Sequence, residues 1–185
     1  MAETPLNIGI ILGSTREGRV SPQVAKWIKD IADHQKNAKF ELVDIADYDL
    51  PFLGTTEPTD HRIQKWNETL ASFDGFIFIV AEYNHSITGA LKNALDLARE
   101  VWNNKAAGIV SYGSVGGARA AEHLRGILGE LAVADVRTHP AFSLFTDFEN
   151  MTKFKPADHH KVVVNDMLDQ LLKWTAALKT IRNNY

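Results

Sequence analysis

The six residues from Phe76 to Ala81 (Phe-Ile-Phe-Ile-Val-Ala) contain no polar side chain and are rich in aromatic and β-branched types. The run is too short to span a bilayer and does not alternate, so it predicts a strand covered on both faces, as in a parallel sheet. The chain then turns polar. Glu82 to Thr88 place a carboxylate, a phenol, an amide, an imidazole and two hydroxyls in seven residues, ahead of Gly89 and an Ala/Leu-periodic helical pattern. A polar loop between the carboxyl end of a buried strand and a helix is where open α/β sheets bind ligands.

The same alternation recurs along the chain. Leu6 to Leu12 is a second apolar run, closed by Gly13-Ser14-Thr15-Arg16-Glu17-Gly18-Arg19. Ser21-Pro22 then predicts a helix start, with the serine as cap and Val24, Trp27, Ile28 and Ile31 on one stripe. Phe40 to Ile45 alternates as another strand, and the prolines and acids of Ala46 to Pro58 predict an irregular loop. A helix from Thr59 or Asp60 turns Ile63, Trp66 and Leu70 inward. The helix after Gly89 buries Ala90, Leu91, Ala94, Leu95 and Ala98.

Ala106 to Tyr112 predicts the fourth strand and Gly113-Ser114-Val115-Gly116-Gly117 its loop. The next helix aligns Ala121, Leu124, Leu128 and Leu131 but carries Gly126 and Gly129, each costing about 1 kcal/mol against alanine, so a packing reason is expected. A fifth strand falls within Ala132 to Thr138. After a loop with Pro140, Phe142, Phe145 and Phe148, a long helix from about Pro156 has its apolar face drawn by Val164, Met167, Leu168, Leu171, Trp174, Leu178 and Ile181. Five strands alternating with five helices predict one α/β domain over residues 1–185, a doubly wound parallel five-stranded sheet in the order 2-1-3-4-5. That order brings the loops after the first, third and fourth strands to one rim.

Composition narrows the chemistry. A net charge of −3 offers no footprint for nucleic acid or acidic membranes, and zero cysteines exclude thiol nucleophiles, disulfides and thiolate metal sites. With neither a leader pattern at Met1 to Asn7 nor a run near the ~20 apolar residues of a membrane helix, a cytoplasmic address is expected. The Gly13 to Arg19 loop suits an anion, since it offers backbone N–H groups, a serine hydroxyl and two arginines at a helix start. It is neither the P-loop nor Gly-x-Gly-x-x-Gly. The Glu82 to Thr88 loop has no metal spacing and no nucleophile–base pair. What it does offer, dense donors and acceptors beside Tyr83, suits a planar heteroaromatic ring.

Two stretches, Gly13-Ser14-Thr15-Arg16-Glu17-Gly18-Arg19 and Glu82 through Asp96, resemble the phosphate loop and the flavin-ring loop and helix of the NAD(P)H-dependent FMN reductase family. This flavodoxin-like group includes quinone, azo-dye and chromate reductases. The resemblance implies bound FMN, its phosphate held by Ser14, Arg16 and Arg19 with Ser21 and Gln23 as neighbours. Glu82, Tyr83, Asn84, Ser86 and Ile87 would line the isoalloxazine, and Ser111, Tyr112, Gly113 and Ser114 would meet the ring or ribityl chain. It also implies hydride transfer from NADH or NADPH to flavin N5, then two-electron, ping-pong reduction of a small-molecule acceptor such as a flavin, quinone, azo compound or metal oxyanion. No side chain is required as acid or base, and a homodimer or homotetramer is implied. Ala81 and Thr88 stand where relatives often carry proline, which predicts a slightly looser loop. The rival readings are a flavodoxin-type one-electron carrier and a non-enzymatic module that binds a nucleotide or partner.

Overall fold

The computed structural model describes residues 5–98 and 100–183; Met1 to Thr4, part of the stretch read as leader-free, lie outside them. In chain order the elements are β1 (Leu6–Leu12), α1 (Ser21–Ala32), β2 (Ala38–Asp44), α2 (His61–Ala71), β3 (Gly75–Ala81) and α3 (Gly89–Asp96). They continue with β4 (Lys105–Gly113), α4 (Ala118–Glu130), β5 (Val133–Asp135), β6 (Ala141–Ser143), β7 (Phe148–Glu149), β8 (Lys153–Phe154) and α5 (His159–Asn183). The main sheet runs β2-β1-β3-β4-β5, all parallel, as the alternation of strands and helices predicts.

Every residue of β3 and β4 is buried, because helices cover both faces of the sheet. On one face α1 and α5 pack on Ile8, Ile10 and Ile77. On the other, α2, α3 and α4 enclose Ile11, Phe76 and Phe78 together with Trp66 and Trp102. The register pairs Leu12 with Asp44 and Ile79, and Ala81 with Tyr112, so β1, β3 and β4 discharge their loops at a common rim.

Local differences from the sequence reading have identifiable causes. Ser21 is not the cap of α1: Val20 holds that position without a side-chain bond, and Ser21 is the first, fully buried helical residue. Helix α3 stops at Asp96, two residues short of Ala98. Its terminal carbonyls are satisfied from the core, Trp66 Nε1 donating to Ala94 O at 2.9 Å and Trp102 Nε1 to Leu95 O at 3.2 Å. The stretch read as an irregular loop from Ala46 opens inside a 3-10 turn, Ile45–Tyr48, capped by Asp44.

The fifth strand is divided. β5 pairs with Lys105 to Ala107 of β4, whereas β6 pairs in parallel with Ser111 to Gly113 and makes the sheet six-stranded. Between them residues 136–140 leave the edge, tethered by Val136 N to Ala107 O at 2.9 Å and Ser111 N to Pro140 O at 3.0 Å. The antiparallel pair β7–β8 then forms where the sequence reads as loop. Among the described residues no helix is long and apolar enough to cross a membrane.

Candidate functional site

The first rim loop follows β1. Gly13 N extends the ladder to Ile79 O at 3.0 Å, after which the amides of Ser14, Thr15, Arg16, Glu17 and Gly18 donate to no acceptor among the described residues. Arg19 turns inward. Its two terminal nitrogens grip both Asp44 carboxylate oxygens at 2.6 Å, and one of them also reaches Ser14 O at 2.5 Å. This bidentate fork braces the loop against the end of β2. Arg16 is exposed and, among the described residues, its guanidinium has neither a hydrogen bond nor an ion pair.

Behind the loop, Ser14 and Ser21 are buried and Tyr112 brings its hydroxyl close to both. Burial pushes the Tyr112 phenol up, opposed by the two serine hydroxyls and by the charges of Arg16 and Arg19. The Ser21 oxygen, with no exposure, completes no hydrogen bond of normal geometry. Gln23, one turn on, is engaged elsewhere: its amide donates to Thr152 O at 2.8 Å and accepts from Phe154 N at 2.9 Å, clamping β7–β8 to α1.

The second loop is a two-residue reversal. Tyr83 and Ser86 exchange backbone bonds of 2.9 and 3.0 Å across Asn84 and His85, whose φ values of 47° and 69° fit a type I′ turn. Glu82 sends its carboxylate to the start of α4, which leaves its backbone for the ring contact expected of it. At α4 the carboxylate accepts from Arg119 N at 3.2 Å and Arg119 Nε at 2.7 Å, serving as a cap in trans for a helix whose own Gly117 supplies none. Burial works against that charge, but the Arg119 bonds and charge prevail and hold the Glu82 pKa below its ordinary value. Arg119 Nη1 also lies 2.9 Å from His85 Nε2, and His123 Nδ1 lies 3.0 Å from Ser86 Oγ. Tyr83 and Asn84 stay exposed on the rim, while Ile87 is buried.

Thr88 reverses the sequence expectation of a looser loop. Its hydroxyl accepts from Leu91 N at 3.1 Å as the cap of α3 and donates to Gly13 O, locking the second loop to the first. The third loop is as tightly held. A Cβ on Gly113 would lie 2.9 Å from Glu82 Cβ, and one on Gly117 2.8 Å from both Ser111 Cβ and Tyr112 N. Ser111 is buried beneath the turn and Ser114 exposed on it. Ser14, Ser21 and Tyr112 thus meet, with the Arg16 and Arg19 charges close enough to act on the Tyr112 phenol, and the other two loops close over the same rim.

The sequence reading missed Thr88 and Arg119. A threonine just before a periodic helix is a cap signal that could have found the first; nothing local marks the second. A groove of ≈ 650 Å³ between Asn37 and α5 lies at the opposite end of the strands from the three loops.

Residues 6–147 match the family model described as NADPH-dependent FMN reductase. The chain belongs to that family. Membership makes it an oxidoreductase working with FMN and NAD(P)H. The reductase is 34% identical over 146 residues to an NAD(P)H-dependent FMN reductase of Schizosaccharomyces pombe, covering 75% of this chain and 73% of the relative. It is 33% identical over 131 residues to a quinone reductase of Escherichia coli K12, covering 66% and 69%. In fold it resembles FerB, a flavoenzyme NAD(P)H:(acceptor) oxidoreductase from Paracoccus denitrificans, with TM-score 0.74, 20% identity and coverage of 93% and 98%. The residues present suit a phosphate monoester: among the described residues the buried Ser21 hydroxyl completes no hydrogen bond of normal geometry, the Arg16 guanidinium has no partner and the amides from Ser14 to Gly18 have no acceptor, at the start of a helix.

Proposed function

We propose that this chain, acting as one domain of residues 1–185, reduces quinone- or flavin-type acceptors with electrons from NADH or NADPH. The carrying observation is the set of donors gathered at the amino end of α1. Ser14, Arg16 and Ser21, with the free amides of the first loop, would hold the FMN phosphate. Tyr83, Asn84, Ser86 and Ile87 of the second loop and Tyr112, Gly113 and Ser114 of the third would border the ring and ribityl chain. Arg19, Gln23, Glu82 and Ser111 serve the site at one remove: their side chains brace Asp44, β8, α4 and Gly116 respectively.

Held by these residues, FMN would supply the two-electron redox chemistry between the nicotinamide and the acceptor, and a ping-pong order is expected. The protein's own task is electrostatic. Backbone N–H groups of the second and third loops, fixed before the reaction by Thr88, Glu82–Arg119 and Ser111, stand ready to stabilise negative charge at low reorganisation cost.

We further propose a homodimer or homotetramer joined through the outer face of α3 and α4, and a cytoplasmic location. Gly126 and Gly129 open a small-residue strip on that face, with nothing of their own chain within 4 Å of a Cβ at either position. The test is direct. Purified protein mixed with FMN should show a flavin spectrum shifted from free FMN, and the holoprotein should oxidise NADH or NADPH in the presence of a quinone with parallel-line kinetics. Bound flavin without NAD(P)H turnover on any quinone or flavin acceptor would convert the reading to an electron carrier. Failure to bind FMN would leave a non-enzymatic binding module.

A further inference from the structure

We infer that His139, which belongs to none of the three loops, is a positioning residue for the third: it fixes Ser111, and Ser111 fixes the Gly113–Gly117 turn. The inference rests on the flavin reading above and adds to it a residue that neither the family motifs nor the loop pattern marks.

Ser111 is fully buried in β4. Its Oγ lies 2.6 Å from Gly116 O and 2.6 Å from His139 Nε2. A carbonyl can only accept, so the single hydroxyl proton goes to Gly116 O. The contact to His139 then requires the hydrogen on Nε2, because a serine oxygen that has spent its proton can only accept. The ring is neutral under ordinary conditions. Burial first, and the Arg125 charge second, draw its pKa down to about 4 against the opposing pull of Glu122. A neutral imidazole carries one N–H, and this chain of two hydrogen bonds assigns it to Nε2.

The turn above has no slack to absorb a change below. Gly116 and Gly117 sit at φ 73° and 76°, and Gly117 packs so closely that a Cβ there would lie 2.9 Å from Ser111 Oγ. A different Ser111 rotamer would therefore move the Gly116 carbonyl and, with it, the amides of Ser114, Val115 and Gly117, which donate to no acceptor among the described residues. The divided fifth strand is what delivers the imidazole: the backbone leaves the sheet edge after Val136 and rejoins at Pro140, whose carbonyl accepts from Ser111 N at 3.0 Å. His139 rides on that detour.

The test combines a double-mutant cycle on FMN affinity with a tautomer measurement. FMN titrations of His139→Leu should give a Kd about five- to tenfold above wild type, the worth of one neutral hydrogen bond. His139→Gln, which keeps an N–H donor, should return to within about twofold. In a Ser111→Ala background His139→Leu should change Kd by less than about twofold, because the path runs through that hydroxyl. Nitrogen NMR of the wild-type protein should report the Nε2–H tautomer, a readout that needs no variant to fold. Equal effects of His139→Leu with and without Ser111, no rescue by glutamine, or an Nδ1–H tautomer would each overturn the assignment. Wild-type protein that binds no FMN would sink the flavin reading itself, whereas a wild-type holoprotein indifferent to His139→Leu sinks only the positioning role.

Discussion

Replacing Thr88 by valine keeps the shape of the side chain and removes one oxygen that makes two bonds. The first caps α3 through Leu91 N at 3.1 Å, and loss of such a cap costs about 1 kcal/mol. The second is the bond donated to Gly13 O, a carbonyl in a buried residue, whose loss costs about another 1 kcal/mol. The variant should therefore be destabilised by about 2 kcal/mol, and for a chain of this length Tm should fall by roughly 4–8 °C. Thr88→Ser retains both bonds and should stay within about 0.5 kcal/mol of wild type. Proline also fits the backbone at this position, where φ is −65°, so Thr88→Pro should lose the same hydroxyl without added strain. Urea denaturation of the apoprotein followed by tryptophan fluorescence measures all three. Valine and serine variants of equal stability would show that the hydroxyl makes neither bond, and the account of the first two loops as cross-linked would be wrong.

Arg16→Ala should weaken FMN binding by about 1.5–3 kcal/mol, the value of a charge-assisted bond, with little change in urea midpoint because the guanidinium has no partner among the described residues. Arg19→Ala should behave in the opposite manner, lowering stability measurably, and Asp44→Asn should reproduce most of that loss since the two form one bidentate pair. Lys105 is buried against the Phe76 ring, and burial first, with the Arg182 charge second, draws its pKa down to about 8. Because the unfolded lysine titrates near 10.4, this group weakens folding below pH 8 and the penalty, ~2–3 kcal/mol, fades as pH rises from about 8 to 10.4. Lys105→Met should accordingly be the more stable protein at pH 7, with an advantage that shrinks toward pH 10. Leu70 O, which Lys105 contacts at 2.9 Å, keeps Phe73 N as a donor in that variant. A constant difference between the two proteins across that range would mean Lys105 is solvated in the fold.

What could be read in advance follows from the range of the interaction. Strand β3 was legible because seven successive buried residues leave a pattern that a two-sided sheet explains, and alternation with right-handed crossovers made a doubly wound parallel sheet legible. The three loops were legible as polar interruptions at strand ends. Side-chain partners across loops were not. Arg19 and Arg16 look alike in sequence, yet Asp44, twenty-five residues on, takes one and leaves the other free. Nothing in the sequence near Glu82 shows that its carboxylate is taken by Arg119, which the β4–α4 connection places beside it. The divided fifth strand had no signal either, because a strand of three residues falls below the length at which periodicity can be counted.

The glycines of α4 invite the last prediction, because the packing reason expected of them is absent among the described residues of their own chain. Both are exposed, and a Cβ at either would meet open space. In an isolated chain Gly126→Ala and Gly129→Ala should therefore each add about 1 kcal/mol of stability through helix propensity alone. If a second copy lays its own helices across this strip, the two methyl groups occupy the space that permits the approach, and association should weaken. The strip adjoins His123 and Arg119, which hold Ser86, His85 and Glu82, so separation of the subunits would also loosen the second loop. Sedimentation of the double variant should thus show smaller particles than wild type together with weaker FMN binding. A double variant that gains about 2 kcal/mol and keeps its oligomeric state would show that nothing docks on the strip.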